Sequence, residues 1–328
     1  MPRSAVVGAP SPRTRVRAML VALAALWLAL ALLSGGLFLS PRNLVNLAVQ
    51  ASAVAVMACG MVLVITARQI DLSVGSVLGF TGMVIAALQA EDGLLAAPLP
   101  WPVALLAGLA LATAIGAWHG AWVAYARLPS FVATLAGLLI FRGAAWLVSD
   151  GRTLAPLAED YLRIGGGPSG TVAGVPLPVL VLGATALGVH VVATRTRFGR
   201  HVFAIGGSPR AAELAGIDVR GVTLRAFMLS GALAGVAAVL TTARLGAGAN
   251  SMGMQAELAV IAAAVLGGTS LAGGSGSVAG AVLGALWMQS LENGMVLLDV
   301  TSALRQVIIG LVLLAAVAAD ARARKSAT

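Results

Sequence analysis

Charged residues are scarce in this sequence of 328 residues. Asp, Glu, Lys and Arg together make up 10% of it, and hydrophobic residues make up 59%. A soluble domain has about 25% charged and roughly 45–50% apolar residues. This difference and the mean hydropathy of +0.97 exclude an ordinary soluble domain. Because about 20 apolar residues span a bilayer and many such runs occur, the composition predicts an all-α polytopic membrane protein.

Lysine and cysteine each occur once, as Lys325 and Cys59. A phosphate-binding loop of the form G-x-x-x-x-G-K-[ST] needs a lysine, so the glycine-rich stretch at 267–276 cannot bind ATP in that way. We therefore predict that the chain has no ATP-binding motif of its own. The single cysteine cannot form an intramolecular disulfide, and because Cys59 lies inside an apolar run we expect it to be a small core residue.

Histidine is also rare, with only His119, His190 and His201 in the chain. None of the three has a carboxylate or cysteine neighbour at the spacing of a metal site, and we expect each to be a packed or interfacial side chain. The sequence also lacks a G-x-S-x-G nucleophile motif. These absences predict a protein that is not an enzyme and has no metal or cofactor.

The net charge of +9 could indicate nucleic-acid binding, but in a membrane protein basic residues usually report topology, so no nucleic-acid partner is expected. We predict about ten transmembrane helices, at 18–39, 44–66, 72–90, 101–126, 129–148, 177–193, 224–243, 256–268, 277–296 and 303–319. With both termini in the cytoplasm, the inside segments hold 15 of the 21 basic residues. The positive-inside rule therefore favours this orientation.

This topology divides the chain into a basic cytoplasmic arm at 1–17, a transmembrane domain at 18–320 and a cytoplasmic tail at 321–328. The longest cytoplasmic loop is 194–225. The basic start and Ala29-Leu30-Ala31 resemble a cleaved signal peptide. However, the apolar run continues to about Leu39 and is long enough to span a membrane, so we expect an uncleaved first helix.

Two features indicate broken or re-entrant helices. The eighth segment is short and ends at Gly267-Gly268, which suits a helix that re-enters as well as one that crosses. The sequences at 75–79 and 276–280 share the pattern G-S-V-x-G, each after a polar break. Such a pair hints at two related halves, an arrangement common in transporters.

Arg142 is the one clear ionisable residue within a predicted span, so it should face the bundle interior, a water-filled path or a partner subunit. Snorkelling or pairing with a helix end would explain it equally well. Asp71 and Ser73 stand at the start of the third segment, where they either cap the helix or, with Ser76, line a path for a polar solute.

The stretch AIGGSPRAAELAGIDVRG, at 204–221, is small and polar although apolar runs surround it. Gly206-Gly207 predicts a turn, Ser208 an N-cap and Pro209 the first helical position. A short helix at 210–215 should end at Gly216. Its apolar face is too small for a helix that lies on lipid, so an alanine-rich helix that docks on another protein is favoured.

Several motifs, in the same order along about residues 40–320, resemble the bacterial ABC sugar importer permeases of the ribose/xylose class. They are IDLSVGS at 70–76, LPSFVATLAG at 128–137, TRFGR at 196–200, LGGTSLAGG at 266–274 and LENGM at 291–295. The stretch 131–142 and the sequence Asn293-Gly294-Met295 are most similar to the xylose-type permeases.

This resemblance implies a homodimeric permease in the bacterial inner membrane, surrounded by membrane lipid. It would receive a sugar from a periplasmic binding protein and be driven by a separate cytoplasmic ABC ATPase. The loop at 204–221 resembles the family's coupling element E-A-A-x-x-x-G, in which Ala211, Ala212 and Gly216 match. Arg210 stands where glutamate is usual and Glu213 follows, so the charge departs from the family pattern. The coupling loop implied in this way comprises Gly206, Gly207, Pro209, Ala211, Ala212, Gly216 and Ile217.

The function predicted in this way is import of a monosaccharide, a pentose such as xylose or ribose. Neutral polar groups suit an uncharged sugar, and the candidate path comprises Asp71, Ser73, Ser76, Thr134, Arg142, Thr269, Ser270 and Asn293. A related permease for a branched-chain amino acid, a nucleoside or a signalling sugar is the first alternative. An ion-coupled carrier that needs no ATPase and a membrane scaffold without transport are the others.

Overall fold

A computed structural model of the chain describes residues 12–95, 97–167 and 169–325. Residues 1–11 of the predicted N-terminal arm and residues 326–328 of the predicted tail lie outside this part. The described residues form thirteen α-helices: α1 (Pro12–Leu33), α2 (Pro41–Thr66), α3 (Val74–Gln89), α4 (Trp101–Ala124), α5 (Ser130–Ser149), α6 (Glu159–Leu162), α7 (Leu177–Arg195), α8 (Arg197–Gly207), α9 (Pro209–Leu214), α10 (Val219–Leu245), α11 (Ala256–Leu266), α12 (Val278–Leu297) and α13 (Ser302–Lys325).

The only strands in the described residues form a short antiparallel hairpin between α6 and α7. In it β1 (Thr171–Val172) pairs with β2 (Val175–Pro176). Two turns of 3-10 helix complete the secondary structure of this part, at Leu37–Leu39 and Arg163–Gly165. The all-α class predicted from the composition is therefore confirmed.

Each of the ten predicted segments contains one helix, namely α1, α2, α3, α4, α5, α7, α10, α11, α12 and α13. Six of them, α1, α2, α4, α5, α7 and α10, are long and apolar enough to cross a membrane. By contrast, α3 has 16 residues and α11 has 11, which at about 1.5 Å per residue is shorter than a hydrocarbon core of about 30 Å. A multi-pass membrane protein is thus supported, while the number of ten crossings stays a prediction.

The first predicted span, 18–39, is wrong at its C-terminal end. Helix α1 stops at Leu33 because Gly35 and Gly36 take left-handed conformations, with φ of 60° and 88°. A helix ends where glycine adopts this conformation, since residues with a Cβ atom do so only at a cost. The chain then turns through the 3-10 segment into α2.

Helices α2 and α10 form the centre of the bundle. In the apolar windows of these two helices, 78% and 72% of the residues are buried, whereas the corresponding values for α1, α4, α5 and α7 lie between 11% and 28%. The outer helices present large apolar side chains, such as Leu147 at 85% exposure and Leu32 at 75%. An exposed apolar surface of this kind suits contact with lipid.

Glycines allow α4 and α10 to approach each other closely. A Cβ atom added to Gly231 would lie 2.8 Å from Gly116 Cα and would also meet the carbonyl oxygen of Ala112. Backbone contact through small residues is how helices pack in membranes, where there is no strong hydrophobic force between them. The packing of α4 against α10 therefore depends on these glycines.

The two ends of the bundle are marked by different elements. Helix α7 has 19 residues and, at about 1.5 Å per residue, separates the β-hairpin at its start from α8 and α9 after its end by roughly 28 Å. We refer to these as the hairpin end and the α9 end. At the hairpin end Tyr161 is fully buried, and its hydroxyl lies 2.5 Å from Thr242 Oγ1. This contact fixes the segment between α5 and α7 onto α10.

Candidate functional site

Two breaks between helices meet at the α9 end. The first is residues 67–73, between α2 and α3, and the second is residues 267–277, between α11 and α12. The amide of Gly274 in the second break donates to the carbonyl oxygen of Thr66, the last residue of α2, at 2.9 Å. The non-helical backbone predicted from sequence is therefore present, and its polar groups bond to protein, as membrane burial requires.

The first break contains a buried carboxylate, Asp71, with 3% exposure. Its Oδ1 accepts from the amide and the hydroxyl of Ser73, at 2.9 and 2.6 Å. Its Oδ2 accepts from the hydroxyl of Ser230 on α10, at 3.2 Å. The carboxylate also interacts electrostatically with His119 on α4. Asp71 thus connects the break to the central helix of the bundle.

The predicted cap of α3 is partly wrong. Ser73 is the N-cap residue by position, but its side chain accepts no hydrogen bond from the first turn, and its hydroxyl donates to Asp71. Ser76 donates to the carbonyl oxygen of Ser73 at 2.8 Å. Thr134 on α5 accepts from the amide of Leu72 at 3.0 Å. The structure therefore brings Asp71, Ser73, Ser76 and Thr134 together, as supports of one another.

The matched glycine motifs at 75–79 and 276–280 do not occupy equivalent positions. Ser277 is the N-cap of α12 and accepts from the amide of Gly280 at 3.1 Å. Its counterpart Ser76 lies inside α3, whose first residue is Val74. The pair therefore gives no support to related halves, which stay a prediction.

Arg142 points into the bundle and holds the loop before α11. Its Nη1 donates to the carbonyl oxygen of Met252 at 2.7 Å, and its Nη2 to that of Gly253 at 3.0 Å. Glu257, at the start of α11, interacts with it electrostatically. Of the two roles considered from sequence, the interior position is the one found, and the partners are loop carbonyls.

Thr269 and Ser270 lie in the second break. Ser270 is bonded within the break, accepting from the amide of Ala272 at 3.3 Å. The hydroxyls of Thr269 and Thr66 are both buried, and neither has a hydrogen-bond partner in the described structure. A Cβ atom added to Gly276 would lie 2.5 Å from Thr66 Oγ1 and 3.2 Å from Thr269 Cγ2. The two threonines therefore flank Gly276 where the breaks meet.

Asn293 lies apart from the other candidates. It forms a reciprocal amide pair with Asn43 near the start of α2, at 2.9 and 3.0 Å. Since α2 has 26 residues, about 39 Å at 1.5 Å per residue, this pair and the breaks are at opposite ends of the bundle. The eight candidate residues thus do not form one site.

Two cavities open towards the hairpin end. The first has a volume of about 380 Å³, which lies within the roughly 300–1,000 Å³ of small-molecule sites. The second has a volume of about 1030 Å³ and shares Val49, Arg244 and Leu245 with the first. None of the eight predicted path residues lines either cavity. The polar residues that line the first cavity are Gln50, Thr241, Arg244, Ser251, Gln255, Gln289, Glu292 and Gln306.

The identification of Arg142 as the one clear ionisable residue within a span overlooked Glu292. This residue lies within the predicted span 277–296 and in α12, where its Oε2 accepts from Gln289 Nε2 at 3.0 Å. Gln50 and Gln289 also interrupt predicted apolar runs. Polar residues within spans are the sequence signal that indicates such a cavity, because their transfer into lipid costs free energy and they therefore face the interior of the bundle.

The predicted coupling loop contains two helices. The turn predicted at Gly206-Gly207 is wrong, since both residues are the last of α8 and the chain turns at Ser208. The predicted N-cap is confirmed: Ser208 accepts from the amide of Ala211 at 3.3 Å, and Pro209 is the first residue of α9. Gly216, with φ of 82°, ends the element as predicted, and Ile217 donates its amide to Ala212.

Helix α9 has one buried and one exposed face. Ala212 is 4% exposed and packs on the chain's own core. Leu214 is 80% exposed, and Arg210, Ala211 and Glu213 are exposed beside it. Ala212 therefore positions the helix, and the free face, which we call the α9 surface, consists of these four exposed residues. Sequence reasoning did not single out Leu214.

Comparison with known proteins gives the chain a family. The family described as branched-chain amino acid transport system / permease component matches residues 43–317. The xylose transport system permease protein XylH of Escherichia coli is 38% identical over 97% of this chain and 94% of its own length. The ribose import permease protein RbsC of the same species is 39% identical over 86% of this chain and 87% of its own.

A third relative, the D-allose transport system permease protein AlsC of Escherichia coli, is 36% identical over 88% of this chain and 86% of its own length. No solved structure matches the chain. The family model matches most of this chain, and the three relatives align with it over most of their own length. Both findings support the same family. The chain belongs to the family of branched-chain amino acid transport system permease components.

Proposed function

We propose that this chain is the membrane-spanning permease of an ABC importer that carries a monosaccharide across the bacterial inner membrane. Its similarity to the XylH xylose permease over almost its whole length carries this proposal, and a pentose such as xylose or ribose is the expected substrate. The excess of basic residues in the α9-end segments favours cytoplasmic termini and a cytoplasmic α9 end.

The energy for transport comes from a separate ATPase subunit, because the chain has no phosphate-binding lysine motif. The chain is therefore a transport subunit, and we infer no cofactor of its own. A periplasmic sugar-binding protein delivers the substrate, and a second copy of the permease completes the pathway. These three partners are what membership of an ABC importer implies.

The α9 surface is the proposed docking site for the ATPase. Leu214 exposes 80% of its surface on a short helix in the segment between α7 and α10. A leucine this exposed outside the lipid-facing helices is suited to an apolar pocket on a partner protein. Closure of two ATPase subunits would move two such helices together and reorient the bundle, as alternating access requires.

The cavity of about 380 Å³ is the proposed first position of the sugar. Gln50, Thr241 and Gln289 place carboxamide and hydroxyl groups around it, and such neutral groups exchange hydrogen bonds with sugar hydroxyls without a net charge. The residues around Asp71 are the proposed support of the path at the α9 end, since their polar groups bond mainly to protein.

Uptake by reconstituted vesicles tests the proposal. The permease is purified with its ATPase, placed in vesicles with the sugar-binding protein, and supplied with radiolabelled xylose. We expect uptake with ATP and none with an ion gradient alone. Uptake driven by a gradient without ATPase would instead establish the ion-coupled carrier, and a folded chain that binds the ATPase but moves no solute would establish the scaffold.

The variant Leu214→Glu tests the docking surface. It places a charge where an apolar contact is proposed, so we expect loss of the copurifying ATPase and of ATP-driven uptake. The control is Val172→Glu, because Val172 is 55% exposed on β1 at the opposite end of α7. An ATPase that remains bound to Leu214→Glu, or is lost equally from Val172→Glu, would contradict this assignment.

Import of a branched-chain amino acid is the second candidate, and one observation favours it. The first cavity is lined by both Arg244 and Glu292, whose charges could pair with the carboxylate and the ammonium group of a zwitterion. Competition distinguishes the two substrates: excess L-leucine should leave xylose uptake unchanged in a sugar permease. Direct ATP-driven uptake of leucine, with none of xylose, would establish the second candidate.

A further inference from the structure

Arg68 joins three segments that are far apart in the sequence. Its Nε donates to the carbonyl oxygens of Gly206 and Ala272, each at 2.8 Å, and its Nη2 donates to that of Gly207 at 3.1 Å. Gly206 and Gly207 are the last residues of α8, and Ala272 lies in the second break. One guanidinium group thus connects the first break, the second break and the end of α8.

The conformation of Arg68 is unfavourable for an arginine. It has φ of 62° at the position after the C-cap of α2, where glycine is the usual residue. The carbonyl groups that it binds on α8 are among those that every helix leaves without an intrahelical partner at its C-terminus. A cation is favourable there because the helix dipole is negative at that end. The contacts of the side chain therefore offset the strain of the backbone.

The side chain of Arg68 is exposed, but the backbone segments that it joins are closely packed. A Cβ atom added to Gly206 would overlap the carbonyl oxygen of Thr66 and the amide of Gly274, which are themselves hydrogen-bonded to each other at 2.9 Å. The ends of α2 and α8 and the second break therefore meet backbone to backbone. A displacement of the end of α8 requires both breaks to move or these contacts to part.

The same contacts extend in two directions. In one direction, α9 begins at Pro209, two residues after Gly207. In the other, the first break continues from Arg68 through Asp71 to Gly75. A Cβ atom added to Gly75 would overlap the carbonyl oxygen of Gly253, and Gly253 lines the first cavity. Covalent bonds, the contacts of Arg68 and the close approach of Gly75 to Gly253 thus connect α9 to the cavity.

We propose that Arg68 is the positioning residue through which movement of α9 is transmitted to the two breaks and to the cavity. This inference rests on the proposed function, since it assumes that α9 docks on an ATPase. Arg68 acts on the solute only through the backbone that it holds, so it is needed for coupling and not for binding of the ATPase.

The experiment compares Arg68→Ala and Arg68→Lys with Arg127→Ala in vesicles that contain the ATPase and the sugar-binding protein. Arg127 is a matched control because it is exposed, has φ of 57° after the end of α4, and its side chain makes no hydrogen bond within the described residues. Each variant is assayed for ATPase copurification, for ATP hydrolysis stimulated by the loaded binding protein, and for sugar taken up per ATP hydrolysed.

We expect Arg68→Ala to retain the ATPase but to lose about fivefold or more of the sugar moved per ATP, at the lower end of typical couplings between distant sites. Arg68→Lys keeps the charge but not the fork of donors, so it should restore part of the loss and provides the test if the alanine variant fails to fold. Arg127→Ala should behave as the native protein does.

Three results would overturn the inference: an unchanged ratio in Arg68→Ala and Arg68→Lys, loss of the ATPase from either variant, or the same loss of coupling in Arg127→Ala. The second would make Arg68 part of the docking surface, and the third would make the effect general to arginines at helix ends. If the native protein shows no ATP-driven uptake, the proposed function itself fails, whereas native uptake with unaffected variants refutes only the role of Arg68.

Discussion

Replacement of Asp71 distinguishes a support of the first break from a residue that contacts the solute. In Asp71→Ala, the hydroxyls of Ser73 and Ser230 can rotate towards other acceptors, but the buried amide of Ser73 cannot. An unsatisfied buried amide costs about 1–3 kcal/mol, and each hydrogen bond to a charged group contributes roughly 1.5–3 kcal/mol. We therefore expect the free energy of unfolding to fall by about 3 kcal/mol or more.

Two milder variants make this prediction specific. Asp71→Asn keeps an acceptor for the Ser73 amide and offers a donor to Ser230, so we expect a loss of about 1 kcal/mol. Ser230→Ala removes only the 3.2 Å bond and should cost about 0.5–1.5 kcal/mol. If Asp71 and Ser230 interact, the loss in the double variant will differ from the sum of the two single losses.

The assay combines unfolding in mixed micelles with the concentration dependence of ATP-driven xylose uptake. A support of the break should change stability and the maximal rate while KM for the sugar remains close to that of the native protein. The opposite result, in which Asp71→Asn keeps native stability and raises KM at least about tenfold, corresponding to about 1.4 kcal/mol of lost binding, would refute this reasoning. It would place the carboxylate on the sugar itself.

Two further predictions follow from backbone contacts. Gly231→Ala should destabilise the bundle by about 1–3 kcal/mol because its Cβ would meet the backbone of α4, whereas Gly143→Ala on α5, with no atom within 4 Å of the new Cβ, should be neutral or stabilising; melting temperatures compare the two. Arg142→Leu should cost about 3 kcal/mol or more and accelerate amide hydrogen exchange in residues 246–255, since it removes the donors to three loop carbonyls. Unchanged exchange in that loop would contradict the role assigned to Arg142.

The helices could be predicted from the sequence because each is a local feature. Apolar length alone places a helix in all ten predicted segments, and Ser208, Pro209 and Gly216 define the bounds of α9 through ordinary capping preferences. Where the prediction failed, a second local signal was stronger. Gly35 and Gly36 end α1 early, while Gly206 and Gly207 remain helical because the N-cap at Ser208 already provides the turn.

The cavity could not be located in this way, because it is formed by side chains from helices that are distant in the sequence. Gln50 on α2 and Gln289 on α12 line the same cavity only because packing of the bundle brings these two helices together. Most of the predicted path residues came instead from motifs, and two of those motifs, at 70–76 and 266–274, mark the breaks. In a membrane, freed backbone groups must find partners, so polar residues gather at a break whether or not a solute passes it.

The segment 70–76 shows why its pattern is visible in the sequence and its role is not. Ile70 and Leu72 donate their amides to Ser130 and Thr134, and Asp71 accepts from Ser230, all of them at least 60 positions away. The segment thus needs α5 on one side and α10 on the other. Arg68 precedes the segment at the α9 end, and Gly75, near the end of the segment, packs against Gly253 of the loop that lines the cavity. These few residues therefore connect the α9 end to the cavity loop. Any break needs partners for its freed backbone groups, whereas one that transmits a movement also needs packed contacts at both of its ends.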